Sequence, residues 1–148
     1  MEDTKYQRKD FARKLVKLDR IQRKYYNLLK KEIMKYEVIN RTTKQYDTFI
    51  QGNRIICKIG VTGSSLRLYL GLNPKEYPMG QYAYKDISDI EEHKKTPLLL
   101  KINSDLACEN GIALIRELAV AKNLTQKAEI VEKDYARIIQ FLINKGTL

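Results

Sequence analysis

The chain has 148 residues, 43% of them hydrophobic, which is enough for one domain with a sizeable core. No apolar run approaches the ~18 residues of a membrane-spanning helix, and the opening segment MEDTKYQRKDFARK lacks the apolar stretch of a secretory signal, so a cytoplasmic protein is expected. The formal charge of +10 is concentrated, with 13 Lys/Arg against 6 Asp/Glu in residues 1–41 and 15 against 12 in residues 42–148, an asymmetry that suits a polyanionic partner or a strongly solvated helix.

In the basic N-terminal region, Phe11, Leu15, Leu18, Tyr25, Leu29, Ile33 and Tyr36 follow a helical period, with Gln22 in its one polar gap. Asp19 can cap a second helix, so a break or kink is expected near residues 18–20. Tyr25, Tyr26 and Tyr36 could stack on bases, but at this spacing they read as packing residues.

The period then changes. Tyr46–Ile50 reads as a strand, and Gln51-Gly52-Asn53 as a tight turn into a strand that starts at Arg54. Gly63-Ser64-Ser65 turns that strand into the next, Leu66–Leu72. Side chains alternate across a strand. Leu66, Leu68, Leu70 and Leu72 therefore share a core face with Ile55, Cys57, Ile59 and Val61. Arg67, Tyr69 and Gly71 share the opposite face with Arg54, Ile56, Lys58 and Gly60.

Two prolines and a glycine make residues 73–80 a loop. Tyr82–Lys85 reads as a short edge strand. Ser88 or Asp89 caps a short helix through Lys95, stopped by Thr96-Pro97. Leu98–Ile102 is a further strand, with Lys101 facing away from Leu98, Leu100 and Ile102. Ser104-Asp105 caps a helix to about Lys122, with Leu106, Gly111 (or Asn110), Leu114, Leu118 and Ala121 as its stripe. A last helix is expected from about Thr125 to Asn144, with Ala128, Val131, Tyr135, Ile138 and Leu142 in line.

These elements describe a single α+β domain. An antiparallel sheet of about 4–5 strands packs on helices, with helical N- and C-terminal extensions. Residues 1–40 form the basic helical region, 46–122 the sheet-plus-helix core and 125–145 the C-terminal helix.

Several segments carry a resemblance. They are Tyr25-Tyr26-Asn27, Met34-Lys-Tyr36, Tyr46-Asp-Thr-Phe49, Leu66-Arg-Leu-Tyr-Leu-Gly-Leu-Asn-Pro74 with Tyr77, Lys85-Asp-Ile-Ser-Asp89, Thr96-Pro97, Lys101-Ile102 and Ser104-Asp105. In this order and spacing, residues ~19–122 resemble an uncharacterised domain of Gram-positive bacteria related to the MmcQ/YjbR-like and DUF1801/DUF5655-like small α+β folds. The resemblance implies an α+β fold and no established activity. Some related folds have been proposed to bind DNA. The domain usually carries a tryptophan before its first strand; the matching stretch here is Arg41-Thr-Thr-Lys44, and the chain has no tryptophan.

Catalytic chemistry is sparse. His93, the only histidine, sits in a Glu91-Glu-His-Lys-Lys95 cluster and reads as a solvated helix residue. Cys57 and Cys108 have no zinc spacing and read as buried free thiols. Gly60-Val-Thr-Gly63-Ser64-Ser65 lies between strands and lacks the lysine and spacing of a phosphate loop. Asp86, Asp89, Glu91 and Glu92 form an acidic cluster with no second cluster to complete a metal site. No enzyme, metal or cofactor is expected.

The strongest candidate is the basic, aromatic sheet face. Arg54, Lys58, Arg67, Tyr69 and Lys101 fall on it, and Arg41 and Lys44 precede it. Basic groups satisfy phosphates, and tyrosine can stack on a base. Ile56 and Leu99 on the same face suggest that a terminal helix or second subunit covers part of it. The expected function is a non-enzymatic, largely sequence-independent nucleic-acid-binding protein that uses this face and the N-terminal helix. The alternative is a protein-interaction module, such as a small regulator or an inhibitor carried by a mobile element, binding an acidic protein surface. The apolar C-terminal helix suits a homodimer.

Overall fold

The computed structural model describes residues 10–129 and 133–147. Among these, five α-helices and a six-stranded antiparallel sheet form an α+β domain. Helix α1 (Phe11–Val16) starts at Asp10 and α2 (Arg20–Ile33) at Asp19. Each aspartate accepts a backbone N–H three residues on, from Arg13 at 3.1 Å and Gln22 at 2.8 Å. Two caps nine residues apart make two helices of one apolar stripe, with the break where it is expected.

Gln22 fills its gap in the stripe for a reason. It is buried, its Nε2 donates to the Ile102 carbonyl at 3.0 Å, and its Oε1 accepts from the Leu66 N–H at 3.1 Å. A leucine there would leave both backbone groups unpaired.

The strands are β1 (Ile39–Thr42), β2 (Asp47–Gln51), β3 (Arg54–Thr62), β4 (Ser65–Leu70), β5 (Lys85–Asp86) and β6 (Leu98–Ile102), ordered β1-β2-β3-β4-β6-β5. Leu66, Leu68 and Leu70 oppose Val61, Ile59 and Cys57 on one side and Ile102, Leu100 and Leu98 on the other. All nine are buried against Phe11, Leu15, Tyr26, Leu29 and Leu114 of the helices. The leucine alternation does define the core face.

One phase shift corrects the expected faces of β3. Phe49 pairs with Cys57 but Ile50 pairs with Ile55, so Ile56 is an extra residue. A bulge of this kind reverses side-chain parity beyond it. Ile55, expected in the core, is exposed, while Ile56 is 2% exposed and belongs to the main core.

Other expectations also need correction. β1 has no strand signal in the sequence, because its one large apolar residue, Ile39, is exposed. The expected edge strand Tyr82–Lys85 is instead a helical turn, α3 (Met79–Tyr82), followed by the two-residue β5. Residues 88–95 form no α-helix, only a 3-10 turn at Glu91–His93.

Helix α4 (Asp105–Ala121) starts at Ser104 as expected, but Leu106 and Ala121 face solvent, and Cys108, Ile115 and Ala119 join the buried side. Gly111 is required there: a Cβ would lie 2.9 Å from Leu29 Cδ2, so its absence lets α4 close on α2. The last helix, α5 (Tyr135–Asn144), starts at its Asp134 cap rather than at Thr125. Residues 125–127 instead pair with residues 35–37, through Glu37 N–H to Thr125 O and Lys127 N–H to Lys35 O. Val131 of the expected stripe lies outside the described residues. α5 docks on α1 and α2, burying Ala136 and Ile139, not across the far side of the sheet. Ile138 and Phe141 remain exposed.

Within the core lies a charged pair. Asp47 and Lys30 are buried, with Lys30 Nζ 2.9 Å from Asp47 Oδ2. The Tyr26 hydroxyl donates to the same oxygen at 2.6 Å, while Asn40 and Thr42 donate to Oδ1 at 2.8 and 3.0 Å. Burial, then the Asp47 charge, pushes the Tyr26 phenol well up, so it stays a donor. Asp47→Ala strands the Lys30 ammonium and is expected to cost about 3–5 kcal/mol. Lys30→Met leaves Asp47 with three donors and should cost less. Urea unfolding of both variants measures the difference.

Candidate functional site

The antiparallel register sets one row across all six strands: Arg41, Thr48, Lys58, Tyr69, Leu99 and Lys85, each opposite the next. A second row runs Gly60, Arg67, Lys101. The sheet thus brings Lys58, Arg67, Tyr69 and Lys101 to one face. Arg54 does not join them, because the bulge puts it out of phase with Lys58, exposed at the tip of the β2–β3 hairpin. Lys44 lies exposed in the β1–β2 turn, where its carbonyl accepts the Phe11 N–H at 2.7 Å.

This face is not an open surface. Segment 87–97 lies over its centre, placing Ile87 against Tyr69 and Leu99. His93 stacks on Tyr69 with ring centroids 4.8 Å apart and planes 18° from parallel. The expected solvated histidine is therefore buried, and so are Lys58 and Tyr69. The half-buried Tyr46 completes the enclosure. Its ring meets Tyr69 edge-on at 5.4 Å and lies over Gly60, where a Cβ would be 3.0 Å away. Lys58 Nζ sits 4.4 Å from the Tyr46 centroid and 5.2 Å from that of Tyr69, a cation held between two ring faces. Tyr46 donates its hydroxyl to Glu92 at 3.2 Å.

The electrostatics follow from this enclosure. Burial lowers the Lys58 pKa, partly offset by Glu92. Burial, then the Lys58 charge, lowers that of His93, again against Glu92. Burial, the neighbouring Tyr69 and the Glu92 carboxylate push the Tyr46 phenol up. The arrangement favours a neutral His93 clamped over the ring pair. Among the described residues no three metal-ligating side chains come together. The acidic cluster is dispersed: Asp86 accepts from Ser88, Glu91 pairs with Lys94 and Glu92 holds Tyr46.

A cluster of accessible positive charge lies on the helical layer. A cleft of about 700 Å³ opens between α2 and α5, lined by Arg20, Arg23, Lys24 and Arg137, with Asp134 the one acid among its described lining residues and Ile21 on its wall. Arg23 is committed to the Leu18 carbonyl, which it caps at the α1–α2 break. Arg20, Lys24 and Arg137 are exposed and form no ion pair among the described residues. The sequence shows the charge excess but not this cleft, because its walls are about 110 residues apart in the chain.

His93 yields a pH dependence. In the unfolded chain it takes up a proton near 6.5, and in the fold only at lower pH. Between those values the unfolded state binds more protons, so stability is full above about pH 6.5 and falls as the pH drops through the native-state pKa. His93→Asn should flatten this limb in thermal unfolding scans between about pH 7.5 and 5. Comparison of the chain with protein-family models, curated proteins and solved structures gives no match, so a functional reading rests on this geometry.

Proposed function

We propose that the protein is a non-enzymatic, largely sequence-independent nucleic-acid-binding protein whose principal contact is the α2–α5 cleft. The observation that carries this reading is the convergence of Arg20, Lys24 and Arg137, exposed and without carboxylate partners among the described residues, on one cleft of about 700 Å³. Lys14 and Lys17 continue the positive surface around the α1–α2 corner, beside the Gly63-Ser64 turn. Such contacts are made to phosphates, carry no base information and release counterions. The enclosed sheet face contributes less than the sequence implied. Its buried Lys58 and Tyr69 are unavailable, whereas Arg41 and Lys101 remain at its margins.

A second reading has its own observation. Ile21, at 59% exposure, lines the basic cleft, and Ile138 and Phe141 are exposed on α5. Apolar residues beside a basic groove suit an acidic amphipathic helix of a partner protein. A specific protein that stays bound after nuclease treatment would favour this reading.

The test is quantitative. Arg20→Ala, Lys24→Ala and Arg137→Ala together should leave the unfolding midpoint in place, since all three side chains are exposed. They should reduce the slope of log affinity against log salt by about 2–3 on duplex DNA, at roughly 0.9 for each phosphate no longer neutralised. Fluorescence anisotropy with labelled DNA and RNA measures affinity and slope alike. A wild type that binds neither at low salt removes the proposal.

A further inference from the structure

Strand β6 is covered on its outer side only in part. β5 pairs with Leu98 and Leu99 and then ends, so the stretch from Leu100 to Ile102 has no neighbouring strand there. The chain turns away at Ala83, whose φ of 52° lies in the left-handed region that alanine rarely takes, and the Tyr84 hydroxyl is tied to the Pro74 and Tyr77 carbonyls. In an antiparallel ladder, alternate residues turn their N–H and C=O to the same neighbour. Ile87 donates to the Pro97 carbonyl at 2.9 Å and Lys85 faces Leu99. The next residue of that parity, Lys101, therefore turns both backbone groups to the uncovered side. The other parity agrees, since Gln22 bridges the Ile102 carbonyl to the Leu66 N–H of β4. Neither Lys101 backbone group has a partner among the described residues.

A second observation is the space beside this edge. A cavity of about 410 Å³ is lined by Leu100, Lys101 and Asn103 of the open stretch, by Ala83 where the chain departs, and by Leu106 and Ala107 of α4. Leu106 is 65% exposed, an apolar side chain with nothing packed over it. A third observation is charge. Lys85 and Lys101 are both exposed on this lining, and no acid is among its described residues.

We propose that the open half of β6 is a docking edge for an extended acidic segment of a partner protein, which adds as a strand beside Lys101. Backbone hydrogen bonds to Lys101 hold it in place. Side chains alternate across the added strand. Those on one face meet Leu106 and Ala107, and those on the other meet Lys101 and, farther along, Lys85. The fitting segment thus alternates apolar and acidic residues. The lysines also disfavour a second copy of this chain, because β6 paired with itself about Lys101 would oppose two like charges. This edge lies apart from the α2–α5 cleft and does not rest on nucleic-acid binding there.

Amide hydrogen exchange and fluorescence anisotropy of the full chain test it, with the peptide TVEVEVT as probe and TVKVKVT as control. In the free protein the Lys101 amide should exchange faster than that of Leu100. Saturating TVEVEVT should slow it about tenfold or more, and TVKVKVT should not bind. Lys101→Glu should weaken TVEVEVT about tenfold and take up TVKVKVT instead. The Arg20→Ala/Lys24→Ala/Arg137→Ala protein should bind TVEVEVT as the wild type does. The exchange measurement needs only the wild type, so it decides the matter even if Lys101→Glu fails to fold. Absence of TVEVEVT binding, or binding that leaves the Lys101 amide exchanging as before, overturns the docking edge. Equal binding of the two peptides overturns its preference for acid. Loss of TVEVEVT binding in the triple variant assigns the peptide to the α2–α5 cleft and overturns the edge as well.

Discussion

The fold turns on the buried Lys30–Asp47 pair. Asp47 opens β2, Lys30 lies in α2, and the donors Asn40 and Thr42 come from β1. Lys30 also sits 5.1 Å from the Tyr135 ring centroid at the start of α5. One carboxylate therefore links the first hairpin to α2, and through the lysine to the last helix. Burying two charges gives little net stability, and its value lies in the arrangement it permits. Each carboxylate oxygen takes two donors, and a one-residue slip of β2 would break all four bonds. β1 contributes little apolar surface of its own, so it is held on the sheet by its ladder to β2 and by this network.

The parts legible in the sequence were those where one periodicity ran uninterrupted. The leucines of β4, the two capped N-terminal helices and the Ser104 start of α4 all have local causes. What stayed hidden depends on contacts distant in the chain. The bulge at Ile56 leaves no compositional mark, because Ile55 and Ile56 are the same residue and only the partner strand decides which is extra. Thr125–Lys127 continues a helical pattern, yet is drawn into extended pairing with residues 35–37. His93 sits among charges in sequence, but its environment is the Tyr69 ring, 24 positions away.

The same logic separates the two basic regions. Residues that looked equivalent by charge divide by burial. On the helical layer the cations face water and can meet a polyanion at no desolvation cost beyond their own. On the sheet, Lys58 has exchanged water for aromatic faces and segment 87–97 covers it. The sheet face thus acts as a second, smaller core with a charged centre. At its margins Arg41, Lys85 and Lys101 present charge outward.

The two cysteines give this layering a chemical readout. Only the thiolate reacts readily with alkylating reagents and disulfides. Burial pushes Cys57 far above its ordinary value and, together with Asp105 and Glu109, raises Cys108 to about 11. In the closed molecule neither is available. Cys57 lies in β3 with no exposed surface, and Cys108 lies on α4 where it meets the core. Modification of Cys108 requires α4 to lift, whereas modification of Cys57 requires the helices to leave the sheet. The ratio of the two labelling rates therefore separates peeling of one helix from opening of the whole fold, and the chain carries this pair of internal reporters without any engineered residue.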